Sequence, residues 1–326
     1  MAPVKKIKFT GFPDYHNPKE QPYFQFLSSR YDLMECDDPD YVIDGGQSFE
    51  YVKYDAVKVL ICSENEIPDF NSYDYAVASS FLDFGDRYLR MPWYAFSPLA
   101  DEVNVRPSPG DIDLLKRGFC SFVVSNSEFA DPIRRRFFDA LSRYKKVDSG
   151  GSYLNNIGGA VKDKQSFCRE YKFNIAFENS SCAGYVTEKL VDAYAARTIP
   201  IYYGCPKIGM DFNKTSMVHV RNEADIPRAI EEIMRLDNDD EAYMKMLSQP
   251  CFVGDSIKQY RQKLNEFLVH IFDQPLHDAH RLFQYGHQAM MRRHLGFVHG
   301  LDYRIGQTAM YKMAVSLAGK IRRSRL

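Results

Sequence analysis

Glu188 and Lys189 stand side by side in the stretch FENSSCAGYVTEKLVDAYAARTIPIYYG, which runs from Phe177 to Gly204, at what reads as the opening of a helix. Unpaired N–H groups give a helix start partial positive charge, so Glu188 obeys the local electrostatics and Lys189 opposes them. The misfit costs only roughly a few tenths of a kcal/mol, which a surface lysine absorbs by swinging into water. An anion bound at the helix start would favour the lysine outright. Arg134, opening an earlier helix, is a second cation able to clamp an oxyanion, although it also reads as one of a surface trio, Arg134 to Arg136.

These residues need a scaffold, and the rhythm of the chain predicts one. KKIKF, DYVID, VKVLIC and YDYAVAS read as strands, with EQPYFQFLSSRY between them at helical spacing (Phe24, Leu27, Tyr31). A stretch holding Pro98, Pro107, Pro109 and Gly110 resists regular structure and marks a boundary. The βα rhythm then resumes. GFCSFVVSN reads as a strand, and DPIRRRFFDALSRY as a helix with Asp131 as N-cap and Pro132 at its first position. KFNIAFEN, TIPIYYG and MVHV read as further strands. Leu190, Val191, Ala193 and Tyr194 form the buried face of the helix EKLVDAYAAR, which leaves Glu188 and Lys189 at its exposed start.

This pattern predicts an α/β protein of two Rossmann-like domains facing a cleft, the GT-B architecture, plus basic C-terminal helices. The expected divisions are residues 1–112, 113–274 and 275–326. In an open parallel sheet, ligands bind beyond the carboxyl ends of the strands. The loop ENSSCAGYVT occupies that place, with Gly184 permitting a tight turn and Thr187 as N-cap. A diphosphate is then the natural anion for Lys189. No GxGxxG or GxxxxGK[ST] occurs, so side chains must hold it, which weighs against dinucleotide dehydrogenases and P-loop enzymes.

The whole chain narrows the class. Its 326 residues suit about two domains. A hydrophobic content of 45%, a charged content of 26% and a net charge of −1 describe an ordinary globular protein with no global field for nucleic acid. No run of 18 apolar residues exists. MAPVKKIKFTGF enters a strand-like pattern without a signal-peptide hydrophobic region, so a cytoplasmic chain is expected. Seven scattered cysteines without a CxxC pair read as buried thiols rather than disulfides or a zinc site.

His280, His287 and His294 recur every seven residues and would share a helix face. That spacing separates them by about 10 Å, too far to converge on a metal, so a polar face is expected. The last segment lines up Met310, Met313, Leu317 and Ile321 and carries basic residues without an acid. It reads equally as an interfacial membrane helix over residues 303–326 and as a terminal helix docked on the protein.

The run FEN…GYVTEKL.DAY…TIPIYYG closely resembles the signature of the α1,3-fucosyltransferases. SENEIPDFNSYDYAVA, LDFGDRYLRMPWY, KRGFCSFVVSN and SGGSYLNNIGG extend the likeness over roughly residues 55 to 220. Animal members carry a signal anchor, a stem and structural disulfides, so the chain is more similar to the bacterial branch. The resemblance implies inverting transfer of L-fucose from GDP-fucose to N-acetylglucosamine in N-acetyllactosamine-type acceptors, giving Lewis x-type products. Carried over by position, it implies that Arg134, Asn179, Tyr185, Glu188 and Lys189 hold the donor and that Glu64 is the general base. Glu66, two residues on, is the rival base, and both also read as solvated turn acids. No metal site and no required cofactor are expected, with a divalent cation as an optional stimulant. The alternatives are a GT-B transferase with another donor or acceptor, and a non-catalytic nucleotide-sugar-binding protein.

Overall fold

The computed structural model describes residues 2–14, 16–104, 112–125, 130–254, 256–311 and 313–314. Packing divides the chain into two units, Met1–Met91 with Arg261–Leu326, and Pro92–Tyr260. The division differs from the expected 112/113 and 274/275 boundaries. Residues 93–104 form 3₁₀ turns whose Tyr94, Ala95, Ala100 and Val103 are buried within the second unit, and Tyr94 N–H donates to Val186 O at 3.3 Å. Pro107, Pro109 and Gly110 lie outside the described residues.

The first unit is built on a parallel six-stranded sheet. Its strands are β1 (Val4–Thr10), β2 (Asp32–Glu35), β3 (Tyr41–Asp44), β4 (Val57–Ile61), β5 (Tyr75–Ala78) and β6 (Tyr88–Arg90), in the order β2-β1-β3-β4-β5-β6. Tyr41–Asp44 and Tyr75–Ala78 are buried at every position, as central parallel strands covered on both faces must be. Helix α1 (Pro22–Arg30) connects β1 to β2 and buries Tyr23 and Leu27.

The second unit repeats the plan with β7 (Gly118–Phe122), β8 (Val147–Ser149), β9 (Tyr171–Phe177), β10 (Ile199–Tyr203) and β11 (Val218–His219), all parallel in the order β11-β10-β9-β7-β8. Its helices are α2 (Ile133–Ser142), α3 (Lys164–Arg169), α4 (Glu188–Ala195), α5 (Ile226–Asn238) and α6 (Asp240–Leu247). Phe122, Phe137, Phe173, Phe177, Ile199 and Ile201 share one core, each worth ~1.5–3 kcal/mol on full burial. Helix α2 starts one residue later than expected. Asp131 Oδ1 still accepts from Ile133 N–H at 3.0 Å and so caps it.

The unit division falls inside α7 (Ser256–Asp273), which α8 (Leu276–Ala279) and α9 (Gly286–Gly306) follow. His280 ends α8 while His287 opens α9, so the seven-residue histidine series does not share one helix. Helix α9 docks on the first unit. Tyr51 Oη lies 3.2 Å from His299 Nδ1, Phe49 stacks on the same imidazole at 4.2 Å, and Lys53 donates to Tyr303 Oη at 3.0 Å. Beyond it, Met310 and Met313 are exposed, whereas Leu317 and Ile321 lie outside the described residues. Among the described residues no helix is long and apolar enough to cross a membrane.

Candidate active site

The carboxyl edge of the second sheet gathers the candidate residues because three local features converge there. Strand β9 runs buried through Phe177 and delivers Glu178 at its end, 1% exposed. The following loop turns at Gly184, whose φ of 97° is the left-handed conformation that glycine adopts without a Cβ penalty. Helix α4 then begins with its N–H groups directed back towards Glu178. Thr187 N–H donates to Glu178 Oε1 at 2.7 Å, and Thr187 Oγ1 contacts both carboxylate oxygens at 2.9 and 2.7 Å. Thr187 is thus the N-cap by position, but the capping oxygen comes from Glu178.

Lys189 completes this arrangement. Its ammonium lies 3.1 Å from Glu178 Oε2, 2.9 Å from Thr187 Oγ1 and 3.5 Å from Glu188 Oε1. Burial works to lower its pKa, yet Glu178 and Glu188 outweigh burial and hold it above its ordinary value. The cation that the helix dipole disfavours is therefore fixed and charged by a buried carboxylate eleven residues earlier in the chain. At Glu188, burial opposes the charge, while Lys189 and Lys164 outweigh it and keep the carboxyl below its usual range.

Arg134 is 2% exposed, not one of a surface trio, since α2 turns it inward from the adjacent strand–helix connection. Its Nη2 donates to Phe177 O and to Asn179 Oδ1, both at 2.9 Å. Burial lowers its pKa and the Glu178 charge opposes that fall. Asn179 is held from its other side, because its carbonyl accepts from Asp131 N–H at 2.7 Å. The Asp131 carboxylate in turn accepts from Tyr203 Oη at 2.5 Å. Arg134, Asn179, Glu188 and Lys189 thus share one neighbourhood. Tyr185 belongs to it by backbone, while its side chain is buried at 2% exposure.

Glycine is required at position 204 by this packing. A Cβ there would stand 2.6 Å from Glu178 Cγ and 2.6 Å from Tyr202 Oη. Gly204→Ala is expected to displace Glu178 and lower stability by ~1–3 kcal/mol, read as a fall in the urea midpoint. An unchanged midpoint would contradict the packing described.

Glu64 sits in the first unit, exposed on the loop after β4, at the carboxyl edge of that sheet. Its carbonyl accepts from Glu66 N–H at 2.9 Å, which folds the two acids into one turn. Glu66 reaches back to the Cys62 thiol at 3.8 Å, and burial raises its pKa. Beneath them Asp44, at the end of β3, accepts from Thr10 Oγ1 and Tyr73 Oη at 2.6 Å each and from Gly46 N–H at 2.9 Å. Burial lifts its pKa to about 6. Asp44 is fully enclosed, so its role is to tie β1, β3 and the Tyr73 turn together below the acidic loop.

Sequence reasoning missed Glu178 and Asp44. A glutamate ending a fully buried strand, followed nine and eleven residues later by threonine and lysine, was the available signal for Glu178. Asp44 carried a similar one, as the charged end of the buried run YVID before Gly45 and Gly46.

Residues 7–97 match the profile of the α-(1,3)-fucosyltransferase FucT N-terminal domain, and residues 115–249 that of glycosyltransferase family 10 (fucosyltransferase), C-terminal part. The chain is 37% identical over 283 residues to the α-(1,3)-fucosyltransferase FucT of Helicobacter pylori, covering 74% of this chain and 59% of that protein. It is 33% identical over 125 residues to GDP-fucose protein O-fucosyltransferase 3 of Danio rerio, covering 35% and 27%. The chain therefore spans less than two thirds of either relative. A crystal structure of an α1,3-fucosyltransferase superposes with a TM-score of 0.72 at 32% identity, over 86% of this chain and 93% of that one. One with GDP-fucose gives 0.66 at 33%, over 82% and 91%. HepE of Anabaena with UDP and glucose, at 8% identity and a TM-score of 0.52 over 82% and 99%, shares the fold alone.

Proposed function

Given that this chain belongs to glycosyltransferase family 10, the fucosyltransferases, we propose that it moves L-fucose from GDP-fucose to the N-acetylglucosamine hydroxyl of N-acetyllactosamine-type glycans. The linkage is α1,3, of Lewis x type, and the transfer inverts the anomeric carbon. One observation carries this reading. At the carboxyl edge of β9, Lys189 pairs with the buried Glu178 at 3.1 Å while the buried Arg134 donates to Phe177 O and Asn179 Oδ1 on either side of it. Two fixed cations thus stand where parallel sheets bind phosphates. A protein one-third identical was solved with GDP-fucose, which supports a diphosphate as the balancing anion.

The chemistry then follows from residue types. The acceptor oxygen attacks the anomeric carbon while Glu64 takes its proton. The bond to GDP breaks with its electron pair going to the diphosphate. Negative charge grows on that oxygen through the transition state, so fixed cations stabilise the transition state more than bound donor. In this reading Lys189 and Arg134 supply the charge, so no metal is required, and a divalent cation would act only as a stimulant. Glu188 and Asn179 face the sugar and ribose hydroxyls, and Tyr185 backs the donor site from the buried side. The proposed location is the cytoplasm, with peripheral contact to the inner face of the membrane through residues 303–326, where Met310 and Met313 are exposed.

The test is a radiolabelled-donor screen with GDP-fucose, GDP-mannose and UDP-galactose against N-acetyllactosamine. Label is expected to transfer from GDP-fucose. Transfer from a different donor only would overturn the reading.

A further inference from the structure

A second basic concavity lies within the first unit, between α9 and the segment from the 3₁₀ turn Glu50–Lys53 to the start of β4. It is a cavity of about 290 Å³ whose lining includes Lys53, Lys58, Asp55, Arg292, Arg293 and His299. Its charge is not balanced. Lys53 is the cation with a nearby acid, Glu50 at 3.3 Å. No described carboxylate lies within ion-pair distance of Lys58, Arg292 or Arg293, and the lining contributes one acid, Asp55, which is exposed. Elsewhere in the same unit Arg30 pairs with Asp273 and Arg281 with Asp86.

We propose that this cavity is a binding site for a phosphate group, with Lys58, Arg292 and Arg293 as its ligands. Like charges converging on a concave, partly dry surface repel one another, and an anion of two charges removes that repulsion. The guanidinium groups of adjacent Arg292 and Arg293 present forked donors suited to phosphate oxygens, and Lys58 supplies a point charge from the opposite wall. Burial lowers the Lys58 pKa and the Arg292 charge acts in the same direction, while Asp74 and Asp55 oppose the fall without cancelling it. The floor is open beside them, since a Cβ on Gly296 would meet nothing within 4 Å. The walls are fixed by the His299–Tyr51 and Tyr303–Lys53 contacts, so the site is formed before the ligand arrives. Its volume, at the lower end for ligand pockets, suits a phosphate or a small phosphomonoester. The phosphate comes from a soluble phosphate compound or from a lipid headgroup.

The test uses the full chain with GDP at saturation, so that other phosphate-binding positions are filled. Inorganic phosphate and glycerol 1-phosphate are titrated calorimetrically into wild type, Arg292→Glu/Arg293→Glu and the milder Arg292→Gln/Arg293→Gln. Both variants should weaken phosphate at least about tenfold and leave GDP affinity within about twofold. The glutamine pair serves where charge reversal undocks α9. Co-sedimentation with phosphatidylcholine–phosphatidylglycerol vesicles, against phosphatidylcholine alone, separates the sources. Sedimentation lost in the variants supports the site with a lipid phosphate, and phosphate binding without sedimentation supports it with a soluble one. Absence of phosphate binding to wild type, or equal affinity in wild type and both variants, overturns the proposal.

Discussion

Glu64→Gln is expected to lower kcat for fucosyl transfer by ~10²–10⁴-fold while GDP affinity stays within about twofold. The amide keeps the size and exposure of the loop residue but cannot take up the acceptor proton. Glu64 is exposed on the turn after β4, so the substitution should shift stability by only about 0.5 kcal/mol. Its neighbour supplies the control. Glu66 shares the turn through its N–H, is raised in pKa by burial and contacts Cys62, so Glu66→Gln should alter the acidic limb of the pH–rate profile more than the maximum. If Glu66→Gln is the inactive variant and Glu64→Gln retains turnover, the base is Glu66. These two acids are distinguished by kinetics, since both belong to residue types and positions that could serve.

Lys189→Ala should produce two losses that a second substitution separates. Removing the ammonium leaves Glu178 buried at 1% exposure with Thr187 as its remaining polar contact on α4, and breaking such a pair costs about 3–5 kcal/mol. It also removes a cation from the diphosphate position, which should weaken the donor at least about tenfold. In Lys189→Ala/Glu178→Gln the unpaired charge is gone, and the amide oxygen still accepts from Thr187. The thermal midpoint should return most of the way to wild type while donor KM stays high and acceptor KM is little changed. Recovery of donor KM along with stability would show that Lys189 serves only to neutralise Glu178. The double variant is informative because the structure gives Lys189 a protein partner, which sequence alone did not suggest.

Much of the scaffold was legible in the chain. Strands β3, β4, β5, β7, β9 and β10 carry buried runs long enough to announce themselves, β1 shows its alternation in KKIKF, and α4 showed its buried face as Leu190, Val191, Ala193 and Tyr194. Strands β2 and β6, of four and three residues, lie at sheet edges with mixed exposure, where pairing with a neighbour decides conformation more than local pattern does. Helix α3 was missed for a similar reason, since its six residues bury only Cys168. The packing units divide at Met91 and Pro92, ahead of the proline-rich stretch that reads as a linker, because residues 93–104 contribute buried side chains that fill space against α4.

The site was legible in type and not in connection. Helix periodicity could flag Lys189 as electrostatically out of place, but the identity of its partner depends on where β9 ends relative to α4. That relation is tertiary, fixed by the parallel pairing of β9 with β10 and by the turn at Gly184. Arg134 shows the same limit. Its sequence neighbours Arg135 and Arg136 pair at the surface with Asp139 and Glu223, and only the docking of α2 shows which of the three points inward.

The central claim, single-step transfer of fucose from GDP-fucose by one base and two fixed cations, is tested most directly by NMR of the first-formed product. The enzyme is incubated with β-linked GDP-fucose and N-acetyllactosamine, and anomeric configuration and linkage are read before the product can rearrange. The account predicts an α-linked fucose on O3 of N-acetylglucosamine, with that product absent in Glu64→Gln. A β-linked product, or no fucosylated glycan from wild-type protein that binds GDP, would contradict it.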